Sequence, residues 1–216
     1  KATASAEGLA RSDRLLAEID FRSNRLERAL NRIDTRLERL GETDPSALSL
    51  RFTKTRLLMD EGSLQAAAME LATYADTART IWADDPRQLA IFRTQEAELK
   101  QRLGDLSGAE RLFKLTLSDS IERLSLGDPL GMVLRNNLGQ LYEAMGLFEE
   151  AEPLLKDAIA LAEKQLGAGH PETARLQNNL ALLYESQGRF DFAEPLYESS
   201  IASLTHLYGE GSIEVV

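Results

Sequence analysis

The sequence predicts an all-α protein, a row of stacked helical hairpins behind a long N-terminal helix. Three observations carry that expectation. The phrase NNLGQLYEAMGLFEEAEPLL at 136–155 returns 42 residues later as NNLALLYESQGRFDFAEPLY at 178–197. A residue-proline pair recurs at nearly the same interval, at Asp44-Pro45, Asp85-Pro86, Asp128-Pro129 and His170-Pro171. Between these marks the apolar residues follow a helical period.

Residues 1–41 make the first element. Leu9, Ser12, Leu16, Ile19, Ser23, Leu26, Leu30, Ile33, Leu37 and Leu40 alternate spacings of three and four, a heptad seam that Gly41 ends. Two arrangements satisfy such a seam. It dimerises the protein as a coiled coil, or it lies on the first hairpin as one long capping helix.

Residues 42–127 hold two hairpins and 128–211 two more. Each Asp-Pro pair is a helix start: the carboxylate accepts early backbone N–H groups and proline suits the first helical position. The helices of one unit are read directly. Leu138, Leu141, Tyr142 and Met145 make one apolar stripe, and Phe148, Ala151, Leu154, Leu155, Ala158, Ile159 and Ala162 make another. Gly146 and Gly188 separate the stripes, and the same ruler reaches back to Gly104 and Gly62. One hairpin has too little core, so neighbours must stack. Pro153 and Pro195 each remove one early hydrogen bond from the second helix.

These units resemble the tetratricopeptide repeat (TPR). Its L-G-x2-Y and A-x3-F pattern is met by Leu138-Gly139 with Tyr142 and by Ala151 with Leu155, then by Leu180-Ala181 with Tyr184 and by Ala193 with Tyr197. The usual period is about 34; the extra residues here lengthen the second helix by about two turns. Repeats of 42 residues with NNLA, EEAEPL and a G-x-x-HP junction look like those of the kinesin light chain family. The resemblance is close over 130–216 and fades earlier, where Lys54 and Glu96 occupy the slot of Leu138. It implies a right-handed α-solenoid.

GEGSIEVV at 209–216 lies 42 residues after GAGHPETA at 167–174, so residues 212–216 read as the start of a further, truncated repeat. That reading leaves a further capping or effector segment to be expected beyond Val216.

The chemistry of the chain points away from catalysis. There is no cysteine, and of the two histidines His170 sits at a helix start and His206 near a helix end. No catalytic motif, metal-ligand spacing or cofactor fingerprint occurs, and no enzyme, metal or cofactor is expected. No run of 18 apolar residues is present, so no membrane insertion is expected in this segment. The net charge is −10, and residues 137–216 carry 13 acidic against 4 basic residues, a balance of −9. Such a surface repels phosphate backbones, which disfavours nucleic acid, and steers basic peptides inward. Localisation is open: the chain is expected to be soluble, and cytoplasmic or, if a leader was removed, exported.

What remains is a surface. In TPR arrays the first helix of each hairpin lines a groove, and the resemblance implies that its polar residues hold a partner peptide. Here those are Asn136, Asn137, Gln140 and Glu143, then Arg175, Asn178, Asn179, Leu182, Glu185 and Ser186. An asparagine amide both donates to and accepts from an extended backbone; the alternative is that these amides bond neighbouring helices. The expected function is a protein–protein interaction scaffold. A regulatory arm of a larger enzyme or signalling protein and a structural homodimeriser are the alternatives.

Overall fold

The computed structural model describes residues 6–41, 44–124 and 128–208. Those residues hold ten α-helices and no strand: α1 Ala6–Arg22, α2 Leu26–Leu37, α3 Pro45–Asp60, α4 Leu64–Ile81, α5 Pro86–Arg102, α6 Leu106–Arg123, α7 Leu130–Ala144, α8 Phe148–Leu166, α9 Pro171–Ser186 and α10 Phe190–Tyr208. Two compact units divide between Gly104 and Asp105, inside the hairpin expected over 85–127. The truncated repeat expected at 212–216 lies outside the described residues, as does the side chain of His206.

The helix starts follow from the residue-proline marks. Asp44, Asp85 and Asp128 accept the backbone N–H of Ser46, Gln88 and Leu130 at 2.7, 3.0 and 2.9 Å. His170 does the same for Glu172 through Nδ1 at 3.1 Å. Each cap satisfies a donor that the helix itself leaves free.

The turns follow from the glycines. Gly62, Gly104, Gly146 and Gly188 have φ of 88°, 88°, 73° and 69°. A Cβ at any of them meets nothing within 4 Å, so the backbone angle and not space demands glycine. At Gly146 the next amide, of Leu147, bonds the Tyr142 carbonyl at 2.8 Å, and Gly146 N–H bonds Glu143 at 2.9 Å. This pair of bonds is a Schellman close, and it recurs at Gly188 on Tyr184 and Glu185.

The first unit corrects the expected long N-terminal helix: α1 and α2 are separate. Asn24 has φ 57°, its N–H bonds the Phe21 carbonyl at 2.8 Å, and Arg25 N–H bonds that of Asp20 at 2.9 Å. This is the same Schellman close with asparagine in place of glycine, the residue that next most readily enters the left-handed region. Leu26 follows it by two positions and Ala29 by five, as Leu64 and Ala67 follow Gly62. The N-terminal segment is thus a hairpin of the same plan.

The break also splits the seam. Ile33 of α2 is buried with Ala29, and Leu26 and Leu37 pack on that cluster. On α1 the buried residues are Ala10, Ala17 and Asp20, while Leu9, Leu15, Leu16 and Ile19 are exposed, Ile19 at 58 %. Alanines let α1 lie close to α2 and α3; leucines there would hold it away. Asp20 is compensated by Arg32 at 3.3 Å and Arg28 at 3.4 Å.

At the centre of the first unit, α3 packs against α1, α2, α4 and α5. Its second core gathers Leu48, Leu58, Leu71, Tyr74, Phe92 and Leu99. Phe92 receives Tyr74 edge-on at 5.9 Å. The charged residues in the Leu138 slot explain the fading pattern. Lys54 pairs with Asp34 at 2.6 Å and Glu70 at 3.0 Å, and Glu96 pairs with Arg79 at 2.7 Å. Burial alone would lower the Lys54 pKa; hydrogen bonds to Asp34 and Glu70 outweigh it and raise the pKa.

In the second unit α6 packs on α7, α7 on α8, α8 on α9 and α9 on α10. The second helices α8 and α10 run 19 residues, against 15 and 16 for the first helices α7 and α9.

The Asn24 turn yields a prediction. Asn24→Gly keeps the αL angle and should leave thermal stability nearly unchanged, whereas Asn24→Val should lower it by about 1–3 kcal/mol, since a β-branched residue is strained there. Equal melting temperatures for the two variants would contradict the assignment.

Candidate functional site

The expected face is built on α7 and α9 of the second unit. On α9, Arg175, Asn178, Leu182 and Glu185 recur at intervals of three and four, which places them on one side of the helix. Arg175, Leu182, Glu185 and Ser186 are exposed, and Asn178 is half-buried. Leu182 is 43 % exposed, a large apolar side chain in a polar row. On α7, Gln140 and Glu143 are half-buried in the equivalent places.

The asparagines divide. Asn136 is only 1 % exposed and accepts a hydrogen bond from Asn179 Nδ2 at 2.7 Å. It donates to Asn137 and to Gln140, each at 3.3 Å. Asn136, Asn137, Gln140 and Asn179 therefore form one amide network that joins α7 to α9. The network meets the demand that buried amides be bonded, and it fixes the spacing of the two helices that present the face. Asn178, one position away, stays on the face.

The charged members are partly committed. Arg175 is held by Glu172 through two bonds of 3.1 and 2.6 Å. Glu185 accepts the Tyr197 hydroxyl at 2.6 Å, and Ser186 donates to the Leu183 carbonyl in its own helix. Burial raises the Glu143 pKa. Burial first, and then Glu185, push Tyr197 up to about 12. Tyr197 belongs to this site although sequence reasoning gave it only a packing slot; its position one hairpin after Leu155, with a hydroxyl added, was the available signal.

A second feature escaped the sequence reading altogether. Tyr142 donates to Glu110 at 3.1 Å and Glu110 pairs with Lys114 at 2.6 Å. Forty-two residues later Tyr184 donates to Glu152 at 2.9 Å and Glu152 pairs with Lys156 at 2.6 Å. Each trio ties the second helix of one hairpin to the first helix of the next. Arg189 strengthens the later one, bonding Glu152 at 2.9 Å and lying 4.5 Å from the ring centres of Tyr184 and Phe192. The Lys156 hydrogen bond, with those of Tyr184 and Arg189, outweighs desolvation and lowers the Glu152 pKa from 4.5 to about 2.

Among the described residues no group of three metal-ligating side chains occurs. No described helix is long and apolar enough to cross a membrane.

Residues 130–205 match the tetratricopeptide repeat family model. A kinesin light chain protein of Podosopora anserina with nearly identical TPR-like repeats is similar in structure, with a TM-score of 0.75 and 22 % identity over 95 % of this chain and 99 % of that one. BtubC (BKLC) from P. vanneervenii gives a TM-score of 0.68 at 22 % identity, over 94 % of this chain and 76 % of that one. A Rap protein solved in complex with Competence and Sporulation Factor gives 0.61 at 16 % identity, over 94 % of this chain and 64 % of that one. No curated protein matches the chain. The fold class is all-α, of the TPR solenoid type, and the repeats are like those of kinesin light chains.

The Glu152 trio predicts an acid response. A carboxylate whose pKa is lower in the folded state stabilises above the unfolded value of 4.5 and loses that stabilisation as pH falls towards 2. Glu152→Gln should therefore flatten the fall in melting temperature between those pH values. An acid limb as steep as that of the parent protein would contradict the clamp.

Proposed function

We propose that this chain, a tetratricopeptide-repeat protein over residues 130–205, holds a partner's peptide segment on the α7–α9 face. TPR arrays are protein-interaction scaffolds; the specific face is our reading. The observation that carries it is the exposed row Arg175, Asn178, Leu182 and Glu185, with Leu182 43 % exposed at its centre. An aligned row of this kind suits an extended chain: Leu182 contacts an apolar side chain, while Asn178 and Gln140 bond the backbone on either side. Glu143 and Glu185 favour a basic residue in the bound segment. The buried Asn136–Asn179 amide pair beneath supports the face rather than contacting the peptide.

A random peptide library panned against the protein supplies ligands, whose affinities are then measured by calorimetry. Leu182→Asp should weaken the selected ligands at least tenfold without moving the melting temperature by more than a few degrees. Asn136→Ala should mainly lower stability. If Leu182→Asp binds every selected ligand as the parent does, the face is not the site.

One observation favours a second reading, the homodimeriser. Leu9, Leu16 and Ile19 keep the spacing of a coiled-coil seam and are exposed on α1. Sedimentation velocity on the parent and on Leu16→Glu with Ile19→Glu decides it: a dimer dispersed by the double variant supports the reading, and a monomer in both removes it.

A further inference from the structure

The negative charge of the chain belongs to the second unit. Residues 1–104, the first unit, carry 17 basic and 17 acidic residues, and within them residues 22–39 carry six basic against three acidic. That local excess is ordered on α2. Arg28, Arg32 and Arg36 follow at intervals of four and Arg39 three residues later, which sets them in one row along the helix. Asn31 and Thr35, both exposed, border the row, and with Asp13 of α1 these side chains line a cleft of about 340 Å³. Asp20 holds Arg28 at 3.4 Å and Arg32 at 3.3 Å, and Asp13 holds Arg36. The Arg28 side chain stays 61 % exposed, and Arg39 is exposed as well. Four guanidinium groups thus face two carboxylates, and the row keeps a positive excess. Glu27 and Glu38 each neighbour a row member in sequence and so stand about 100° round the helix from it.

The chemistry of this row is unlike that of a face on which another hairpin stacks. Counted from the turn residues Asn24 and Gly146, Arg32, Arg36 and Arg39 of α2 correspond to Leu154, Ala158 and Leu161 of α8. Those three are half-buried or buried, and Leu161 shares a small cleft with Ile121 and Leu124 of α6. A hairpin of this plan laid on α2 would bury three guanidinium groups, two of them already held by α1, at a desolvation cost that no apolar stripe repays.

We propose that the arginine row of α2 binds an extended segment of a partner protein in which acidic residues alternate with small polar ones. Charge complementarity selects the acid, and spacing selects the alternation. Residues four apart on a helix are about 6 Å apart along its axis. Alternate residues of an extended chain point the same way and are about 6.6 Å apart, a mismatch that long arginine side chains absorb. Every cation in the row is arginine, whose planar fork meets a carboxylate through two parallel bonds. Asp13 and Asp20 fix Arg32 and Arg36 in place, while Asn31 and Thr35 offer bonds to the backbone of the segment. No aromatic residue is among the described residues that line the cleft, and single-stranded nucleic acid relies on aromatic stacking as well as on charge.

This row is separate from the α7–α9 face, and its test does not depend on that proposal. The probes are two fluorescent octapeptides of equal composition, one alternating glutamate with serine and one with all its glutamates in a single block. Binding to the full chain is read by anisotropy at low salt. The alternating peptide presents twice as many carboxylates on one side and should bind roughly five- to tenfold more tightly than the block. Arg28→Gln with Arg39→Gln should remove that preference and weaken binding, with the melting temperature little changed because both side chains are exposed. Thr35→Glu, which puts a carboxylate into the row without touching an ion pair, should abolish binding. Arg111→Gln with Lys164→Gln removes as much charge from exposed places in the second unit and should change nothing, and neither should Leu182→Asp. Failure of both peptides to bind, equal affinity for the two, or binding indifferent to Thr35→Glu would overturn the proposal. So would tighter binding of a thymidine oligonucleotide of the same charge, because the occupant would then be a nucleic acid.

Discussion

Every hairpin in this protein turns on one local constraint: a residue in the left-handed region, an apolar residue two positions on, and an alanine five positions on that is buried almost completely. Asn24, Gly62, Gly104, Gly146 and Gly188 occupy the first place. Ala29, Ala67, Ala109, Ala151 and Ala193 occupy the last, none more than 3 % exposed. In the four hairpins that lie within one unit, the turn reverses the chain within two residues and brings the two helices together. Only a side chain as small as alanine fits one turn later, where they are still close. Their apolar stripes then face each other.

Stacking adds a second requirement, and the protein meets it in two ways. In the second unit an apolar Leu138 or Leu180 fills the packing slot, and a glutamate-lysine-tyrosine trio ties one hairpin to the next. In the first unit the slot holds Lys54 or Glu96, each with an ion-pair partner on a neighbouring helix. Such pairs roughly offset their desolvation cost without adding much net stability. They do fix which charged neighbour must be present, and that gives the first unit a register that the leucine slot supplies by shape in the second.

The regular parts were legible in the sequence because they rest on residue types with few alternatives. Glycine at four left-handed turns and an acceptor before proline at four helix starts are local signals, and the 42-residue interval displays them together. The N-terminal break was harder to see. Asparagine enters the left-handed region less often than glycine, and a seam of threes and fours reads the same whether its helix is continuous or folded back. The face on α9 was legible as a face, but the role of each amide was not. Asn178 and Asn179 are adjacent in sequence, and the 100° step between them sends one to the open side and the other to Asn136. Distinguishing them requires knowing where the neighbouring helix lies. The Glu152 trio was hidden for a similar reason, since its members come from different hairpins and only packing brings them together.

The hairpin constraint is tested most directly by enlarging the buried alanine at one turn and an exposed alanine on the same helix. Ala151→Leu and Ala160→Leu both place leucine in α8, where Ala151 is buried and Ala160 exposed. Overpacking costs about 1–3 kcal/mol, which corresponds to roughly 2–12 °C in melting temperature for a chain of this size. The account predicts a fall of that order for Ala151→Leu and almost none for Ala160→Leu. Equal melting temperatures for the two variants would contradict it.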